Sequence, residues 1–388
     1  MSITQEDLSG ISEILNKILQ NDNEIRKAAE AQLNQAKQTD TDKHAMIMAA
    51  VIHPSNQFSV EAKSLAAVIL RRNISTTDIA TSDITDQANN ENIWTRISPQ
   101  CKEALKQQII ETLKATQAVN KQFTHKICNV AVEIQGAMVE YEPEAEQIWQ
   151  GLLNELFQFI QSQQACFIDA ALQIFNGLFS YIMDHLVKFK TDLAGIFEKS
   201  LGNPTLDIKL AALQATANYL SIAERKDTKE FIPLLPLMIQ VVDCALQEDD
   251  ETIIEDALVE FNELAEVEPA FFKPNFKDVY AKMKPIVSKN DFANNSIRHQ
   301  PLEFFCTIVE RQPSIVKKDE ALLKDLLELI FQLMIDIDSD IDESWLRPKE
   351  GYVDGGDDEE EDNVAFGKGL VDRLVAGIGD QVMLPLIG

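Results

Sequence analysis

The amino-acid sequence, 388 residues long, predicts an all-α protein whose helix pairs stack into a right-handed solenoid. First, an apolar anchor followed by small or apolar residues at i+3 or i+4 and at i+7 or i+8 recurs seven times, as on one buried face of an α-helix. Second, another amphipathic segment precedes each recurrence. Third, glycine (14) and proline (13) make up only about 7% of the chain, against ~12% on average, which leaves few turn residues for a β-sandwich or barrel.

These patterns place the two helices of each pair. The predicted first helices cover residues 8–20, 42–52, 100–114, 146–161, 181–201, 229–246 and 276–288. The second helices are anchored at Ile25, Ala62, Phe123, Ile168, Ile208, Ile254 and Ile297. The usual interval of ~40–47 residues is the period of HEAT repeats, in which neither helix buries its apolar stripe until neighbouring pairs stack. The sequence therefore predicts about eight HEAT repeats.

Two polar segments interrupt this array. Residues 75–91, rich in Thr, Asp and Asn, predict a loop between the second and third pairs. Residues 336–362 predict an acidic loop that splits the eighth pair, so that residues 1–335 hold seven pairs and the first helix of the eighth. Residues 363–388 supply its second helix and the start of a truncated ninth pair. Without a partner helix, the apolar side chains there are expected to be exposed or loosely packed, namely Met383, Leu384, Leu386 and Ile387.

The charge balance favours basic protein partners. The chain has 35 Lys+Arg against 63 Asp+Glu, and a net charge of −28 repels both nucleic-acid phosphates and anionic lipid. We therefore expect no direct nucleic-acid or membrane partner. Five widely spaced cysteines and an N-terminus without a basic and apolar signal segment are typical of a reduced, cytosolic or nuclear compartment.

The motifs of catalysis and cofactor binding are missing from the sequence. The pairs Gly367/Gly369 and Gly377/Gly379 lack the strand that a phosphate-binding loop requires. The five histidines are scattered without a second metal ligand at suitable spacing, so packed or surface histidines are the simpler interpretation. We expect no enzyme activity, no cofactor and no metal.

One acidic surface is predicted on a second helix. Residues 248–268 contain ten acidic residues and no basic one. Second helices of HEAT pairs line the concave side of a solenoid, where a concentrated negative field attracts cations. A solvated helix face is the alternative, but such faces usually mix both signs of charge. The residues predicted to form this acidic inner surface are Glu251, Glu255, Glu260 and Glu263.

The acidic loop is a second candidate for binding basic ligands, with a solubilising linker as the alternative. It carries thirteen acids against Arg347 and Lys349, and a tryptophan among acids adds cation–π attraction to charge attraction. Its candidate residues are Asp336, Asp338, Asp340, Asp342, Glu343, Trp345, Asp357, Asp358, Glu359, Glu360, Glu361 and Asp362.

Two features together resemble the importin-β (karyopherin-β) family. One is the run Ala66-Ala-Val-Ile-Leu-Arg-Arg-Asn-Ile74 on the second helix of the second repeat. The other is an eighth repeat split by an acidic, tryptophan-containing loop, followed by Leu370-Val-Asp-Arg-Leu374, Gly377-Ile-Gly379 and Leu384-Pro385. The resemblance covers essentially the whole chain, and it implies the N-terminal third of a longer receptor.

The resemblance implies a nuclear import receptor that shuttles between cytoplasm and nucleus. Such a receptor binds basic cargo carrying nuclear localisation signals, contacts the FG repeats of nucleoporins, and releases cargo when the GTPase Ran binds in its GTP form. It places Ran-GTP on the first repeats, at about residues 25–95, and assigns Ran or cargo contacts to the acidic loop. The first-repeat contacts implied by position are Glu24, Lys27, Glu30, Lys63 and Arg71.

Other HEAT proteins remain as alternatives. A scaffold that organises other proteins without nucleotide-dependent release needs no acidic loop and should carry mixed surface charge. A tubulin-binding array is disfavoured because tubulin is itself acidic. A difference in binding between the GTP and GDP forms of Ran separates the receptor from the scaffold.

Overall fold

The computed structural model describes residues 3–75, 92–116, 120–336 and 363–387, and within these ranges it contains helices and no strand. The predicted all-α fold is confirmed. In chain order the helices are α1 (Gln5–Ile18), α2 (Asn23–Thr39), α3 (Thr41–Ile52), α4 (Val60–Ile74), α5 (Pro99–Ala115), α6 (Lys121–Tyr141), α7 (Gln150–Gln161), α8 (Ala165–Leu186), α9 (Lys190–Leu201), α10 (Leu206–Ile222), α11 (Arg225–Thr228), α12 (Leu235–Glu248), α13 (Glu251–Val267), α14 (Phe276–Val287), α15 (His299–Arg311), α16 (Glu320–Ile335), α17 (Asn363–Ile378) and α18 (Asp380–Ile387).

The chain divides into two compact units, residues 1–196 and 197–388. In unit 1 the second helices α4, α6 and α8 lie side by side, and each packs on the first helix of its own pair. In unit 2 the second helices α10, α13, α15 and α17 form such a row, with α12, α14 and α16 packed in sequence on the other side. Each pair thus buries its apolar face against its sequence neighbours, which is the packing of an α-solenoid.

Local sequence explains where the helices begin. Asp22 Oδ1 accepts hydrogen bonds from the backbone amides of Glu24 (2.9 Å) and Ile25 (3.1 Å) at the start of α2. Ser98 Oγ accepts from Cys101 N at the start of α5, where Pro99 is the first helical residue. Both caps satisfy amides that the first helical turn leaves unpaired.

Small residues allow the second helices to pack closely. A Cβ atom added at Gly136 of α6 would lie 2.6 Å from the Tyr181 ring of α8, and one added at Gly177 would lie 2.7 Å from Val132. Any larger side chain at either position would force the two helices apart.

Two details of the predicted repeats are corrected. The chain kinks at Ile182, close to the predicted start of the first helix of the fifth pair, but that helix is divided into the end of α8, a 3-10 turn (Val187–Phe189) and α9. Ile25 is exposed rather than buried, because only Ala29, Leu33 and Lys37 of α2 are buried.

The end of the described chain corrects a third expectation. α18 packs on α16 and α17, in the position of a further first helix. Met383 is fully buried there, contrary to prediction, because it faces those two helices, whereas Leu384 is 62% exposed as predicted.

Two segments are long and apolar enough to cross a membrane by length and composition, Ala165–Leu201 and Arg225–Glu248. Of the most apolar window in each, 61% and 44% respectively is buried inside the protein. The core helices of stacked pairs give the same apolar signature.

Candidate partner-binding surfaces

A groove with exposed apolar side chains lies beside α4 in unit 1. Val60, Ser64, Val68 and Arg71 follow one another at helical spacing along one face of α4. Val60 and Val68 are each 42% exposed, and Leu19 at the end of α1 is 45% exposed. The groove has a volume of about 470 Å³ and is lined by Leu19, Val60, Glu61, Ser64, Leu65, Val68, Asn120, Gln122 and Lys126. Its apolar floor and mixed polar rim suit a protein partner.

The structure brings only one of the five implied Ran contacts to this face of α4. Arg71 lies there, with its Nε atom buried and without a hydrogen-bond partner in the described structure. Lys63 is buried and donates from Nζ to the carbonyl of Pro54 (3.0 Å), so its ammonium stabilises the turn before α4. Burial lowers the pKa of Lys63.

The other three implied contacts are exposed on α2. Glu24 and Lys27 form an i,i+3 ion pair (3.7 Å), and Glu30 lies 4.0 Å from Arg26. These pairs are well exposed and add little stability, which leaves their side chains available to a partner.

The four acids predicted on α13 lie on two edges of the helix. Glu251 accepts hydrogen bonds from the backbone amides of Ala293 (2.9 Å) and Asn294 (3.3 Å), and Glu255 accepts from the Asn294 side chain (3.4 Å). Both carboxylates therefore hold the turn that leads into α15. Glu260 and Glu263 lie on the other edge of α13 and do not share this contact.

Glu260 and Glu263 belong to a strip with Asp256, Val259 and Val267, which we call the α13 acidic strip. None of its three acids has an ion pair or hydrogen-bond partner among the residues that the structure describes. Val259 and Val267 add exposed apolar surface, Val267 being 56% exposed. Desolvation and the neighbouring Glu263 and Asp256 raise the pKa of Glu260 to about 7. The strip therefore holds negative charge that the chain itself leaves uncompensated.

Replacing Glu260 with Gln is expected to stabilise the chain at pH 8 and not at pH 4.5. The pKa of Glu260 in the folded chain lies above its ordinary value of 4.5, so this carboxyl favours folding at low pH. That contribution is lost as the pH rises through about 7. Because solvent reaches part of the side chain, we expect a gain of about 1–2 kcal/mol at pH 8. Thermal unfolding of both proteins between pH 4.5 and 8 measures it, and a pH-independent difference would contradict the assignment.

Polar contacts join the two residues that flank segment 337–362. Asp336 Oδ2 lies 2.6 Å from Arg298 Nη2, and Asn363 Nδ2 donates to the carbonyl of Asp336 (3.0 Å). His299 Nε2 lies 2.8 Å from Asn363 Oδ1, and the His299 ring stacks on Phe366 at 4.1 Å. We call Arg298, His299, Asp336 and Asn363 the root cluster.

Arg373 fastens α17 to α15 beyond the root cluster. Its guanidinium pairs with Glu303 (2.6 Å) and Glu310 (2.8 Å), and these carboxylates raise its pKa. Charge-assisted hydrogen bonds thus hold α17, the helix that follows segment 337–362, against α15.

Apart from Asp336, the predicted loop candidates lie outside the described residues. These are Asp338, Asp340, Asp342, Glu343, Trp345, Asp357, Asp358, Glu359, Glu360, Glu361 and Asp362. The predicted loop at 75–91 also lies outside them except for Ser75. In the described part of the chain there is no cluster of three or more His, Cys, Asp or Glu residues able to hold a metal.

Sequence reasoning missed the root cluster and the groove beside α4. One sequence feature could have indicated the cluster: Asp336 and Asn363 are short polar residues at the two boundaries of the acidic run. The groove had none, because Val60 and Val68 could equally have packed on a neighbouring helix.

Family models match most of the chain. The model described as "IPO5-like, TPR repeats" matches residues 119–281, and the model described as "Importin repeat" matches residues 290–385. The chain belongs to the importin-β (karyopherin-β) family. Within that family, the run Leu370-Val-Asp-Arg-Leu374 and the glycines after it resemble importin subunit beta-3 (importin five). A probable importin-5 homolog of Dictyostelium discoideum agrees with this, being 22% identical over 244 residues.

Solved structures of the karyopherin Kap121p share the fold. Its complexes with RanGTP, Pho4p and Nup53p superpose with TM-scores of 0.77, 0.76 and 0.76 at 17% sequence identity, over 99–100% of this chain. This chain covers 34% of the length of Kap121p. The region matched to the Dictyostelium relative covers 62% of this chain and 22% of that relative.

Proposed function

We propose that this chain is part of a nuclear import receptor, which binds basic cargo and releases it when Ran-GTP binds. The observation that carries the proposal is the α13 acidic strip, whose three carboxylates have no partner in the described chain. The family supports it, since Kap121p was solved with RanGTP and with Pho4p. The protein is a transport receptor rather than an enzyme, and it shuttles between cytoplasm and nucleus through contacts with nucleoporin repeats.

The acidic strip selects a basic segment that also carries apolar side chains. The carboxylates of Asp256 and Glu263, together with a Glu260 carboxyl that is partly ionised at neutral pH, attract lysine and arginine over distances of about a Debye length. Val259 and Val267 then offer apolar contact between the charges. This combination suits a nuclear localisation signal in an extended conformation.

Ran-GTP docks on the groove beside α4. An apolar floor supplies contact area, and Lys126 in the groove lining meets acidic groups of the GTPase. Arg71, one turn beyond Val68 on the same face of α4, extends this contact. Binding of Ran-GTP and binding of cargo are coupled negatively in this proposal, so that each ligand weakens the binding of the other.

The nucleotide dependence of Ran binding tests the receptor function. Pull-downs with Ran locked in its GTP or GDP form are expected to recover this chain only with the GTP form. Val68→Asp should weaken that recovery at least tenfold, because it places a charge on the groove floor. Ile222→Asp, which places the same charge at an equally exposed apolar residue (42%) at the end of α10, is the matched control. Equal recovery with both nucleotides would favour the scaffold.

The acidic loop contributes to ligand binding through its negative charge. Replacing Asp357, Asp358, Glu359, Glu360, Glu361 and Asp362 with Asn or Gln is expected to weaken binding of a basic ligand or Ran-GTP by about ten- to a hundredfold. Screening should shrink the difference as salt rises. An unchanged dissociation constant at low salt, with an unchanged thermal midpoint, would assign the loop to solubility alone.

A further inference from the structure

Three hydroxyl side chains of the sequence have an arginine three residues before them: Ser75, Thr228 and Ser314. This spacing is the charge pattern that basophilic protein kinases select, because acidic groups of the kinase bind the arginine while the hydroxyl reaches ATP. The sequence alone does not separate the three candidates. The structure separates them by burial.

Two of the three candidates are inaccessible in the folded chain. Ser75 is 2% exposed and Thr228 is 7% exposed. The hydroxyl of Thr228 also donates a hydrogen bond to the carbonyl of Arg225 (3.0 Å), its own candidate arginine. Neither hydroxyl can enter the catalytic site of a kinase unless the surrounding helices separate first.

Ser314, in contrast, is exposed in the turn between α15 and α16. Pro313–Ile315 form a single 3-10 turn there. The Ser314 Oγ atom accepts a hydrogen bond from the Gln312 side chain (3.0 Å), which leaves its own proton free for transfer. Short exposed turns open locally at a low free-energy cost, so this segment can adapt to the substrate cleft of a kinase.

The segment around Ser314 is basic in an acidic chain. Residues 311–318 contain three basic residues and no acidic one, whereas the whole chain has a net charge of −28. The acids on either side already have partners: Glu310 pairs with Arg373 (2.8 Å), and Asp319 pairs with Lys277 (2.5 Å). The positive charge of the segment is therefore only weakly opposed by its own neighbours.

Arg311 is available to a kinase although it has a partner in the chain. It pairs with Glu266, but both side chains are about half exposed, 57% and 46% respectively. An ion pair of this kind contributes at most ~1 kcal/mol, so a more acidic kinase cleft can compete for the guanidinium.

Two lysines after Ser314 suit the phosphorylated product. Lys317 and Lys318 are exposed and have no ion pair among the residues that the structure describes. Lys317 N donates to the carbonyl of Pro313 (2.8 Å), so the chain makes a helical turn here. Side chains three and four residues apart share one side of such a turn. Their ammonium groups can therefore make charge-assisted hydrogen bonds to a phosphate on Ser314.

We propose that Ser314 is a phosphorylation site for a basophilic serine/threonine kinase. Ser314 Oγ attacks the γ-phosphorus of ATP, and the new Oγ–P bond forms as the bond from that phosphorus to the β–γ bridging oxygen breaks. ADP leaves with the electron pair of the broken bond, and the hydroxyl proton passes to the catalytic aspartate of the kinase. The phosphate adds about two negative charges, so the segment changes from a basic surface to a nearly neutral one.

Phosphorylation of the folded, full chain tests the proposal. The chain is incubated with radiolabelled ATP and the catalytic subunit of cAMP-dependent protein kinase, a basophilic enzyme, and the labelled residue is mapped by peptide mass spectrometry. We expect the label on Ser314, and Ser314→Ala should lower incorporation at least tenfold. Arg311→Gln should lower the initial rate about tenfold, because the kinase loses a charged contact, without a large shift of the thermal midpoint.

A second exposed serine provides the matched control. Ser288 also lies between lysines, Lys284 and Lys289, but has no arginine three residues before it. Ser288→Ala should therefore incorporate label like the parent. Equal incorporation in parent and Ser314→Ala would overturn the proposal, as would labelling of Ser314 only after heat denaturation. Label on Ser75 or Thr228 of the folded chain would also overturn it, since burial would then not select the site.

Discussion

Reversing the three charges of the α13 acidic strip, with Asp256→Lys, Glu260→Lys and Glu263→Lys, is expected to weaken binding of a basic nuclear-localisation peptide at least a hundredfold. Each substitution replaces an attraction to a basic residue of the peptide with a repulsion. For a partly exposed charge pair this change weakens the binding free energy by about 1 kcal/mol. Three such changes sum to roughly 3 kcal/mol, which corresponds to about a hundredfold in affinity. Titration of a labelled basic peptide into parent and variant at two salt concentrations measures the effect.

A charge-matched control makes the result specific. Glu144→Lys, Glu146→Lys and Glu198→Lys change three exposed glutamates elsewhere in the chain by the same six units of charge. If this control loses as much affinity as the strip variant, only the net charge matters and the strip is not a site. The milder variant Asp256→Asn, Glu260→Gln, Glu263→Gln keeps the size of each side chain, so it separates loss of binding from loss of folding.

The sequence located this surface only in part. The absence of any base between residues 248 and 268 was enough to select the helix. It could not separate Glu251 and Glu255 from Glu260 and Glu263, because that division depends on the turn at residues 293–294, which comes from the next pair. Long-range packing thus decides which carboxylates remain free for a ligand.

The fold could be predicted more completely than the surfaces, for a physical reason. Helical periodicity fixes which face of each helix is buried, and in a repeat array the burying partner is always the next pair. The errors occur where that rule is locally weak. At Ile182 the chain kinks within a continuous apolar run, so the predicted first helix of the fifth pair is divided between the end of α8 and α9. At Ile25 few helices pack on α2, so an apolar anchor remains exposed.

Replacing Arg298 with Met is expected to destabilise the chain by about 1–3 kcal/mol, because it leaves the carbonyl of the buried Val287 without a donor and removes the charged hydrogen bond to the partly exposed Asp336. The Arg298 side chain is only 7% exposed and joins three parts of unit 2. Its Nε donates to the carbonyl of Val287 (2.8 Å), Nη1 to Asn295 (3.1 Å) and Nη2 to Asp336 (2.6 Å). Arg298→Lys should recover only part of the lost stability. The planar guanidinium of arginine donates to three acceptors at once, and a lysine ammonium cannot reach all three.

The consequences of Arg298→Met should extend to the root cluster. Asp336 also accepts from Asn363 through its backbone carbonyl, so the start of α17 depends on where Arg298 holds Asp336. Hydrogen exchange is therefore expected to accelerate at the first turn of α17 as well as at the end of α14. Arg311→Met is the control, because Arg311 and its partner Glu266 are both about half exposed and the pair contributes at most ~1 kcal/mol. Equal shifts of the thermal midpoint in the two variants would show that Arg298 is no more than a surface ion pair, and that the α17 start is fixed by Arg373 and apolar packing alone.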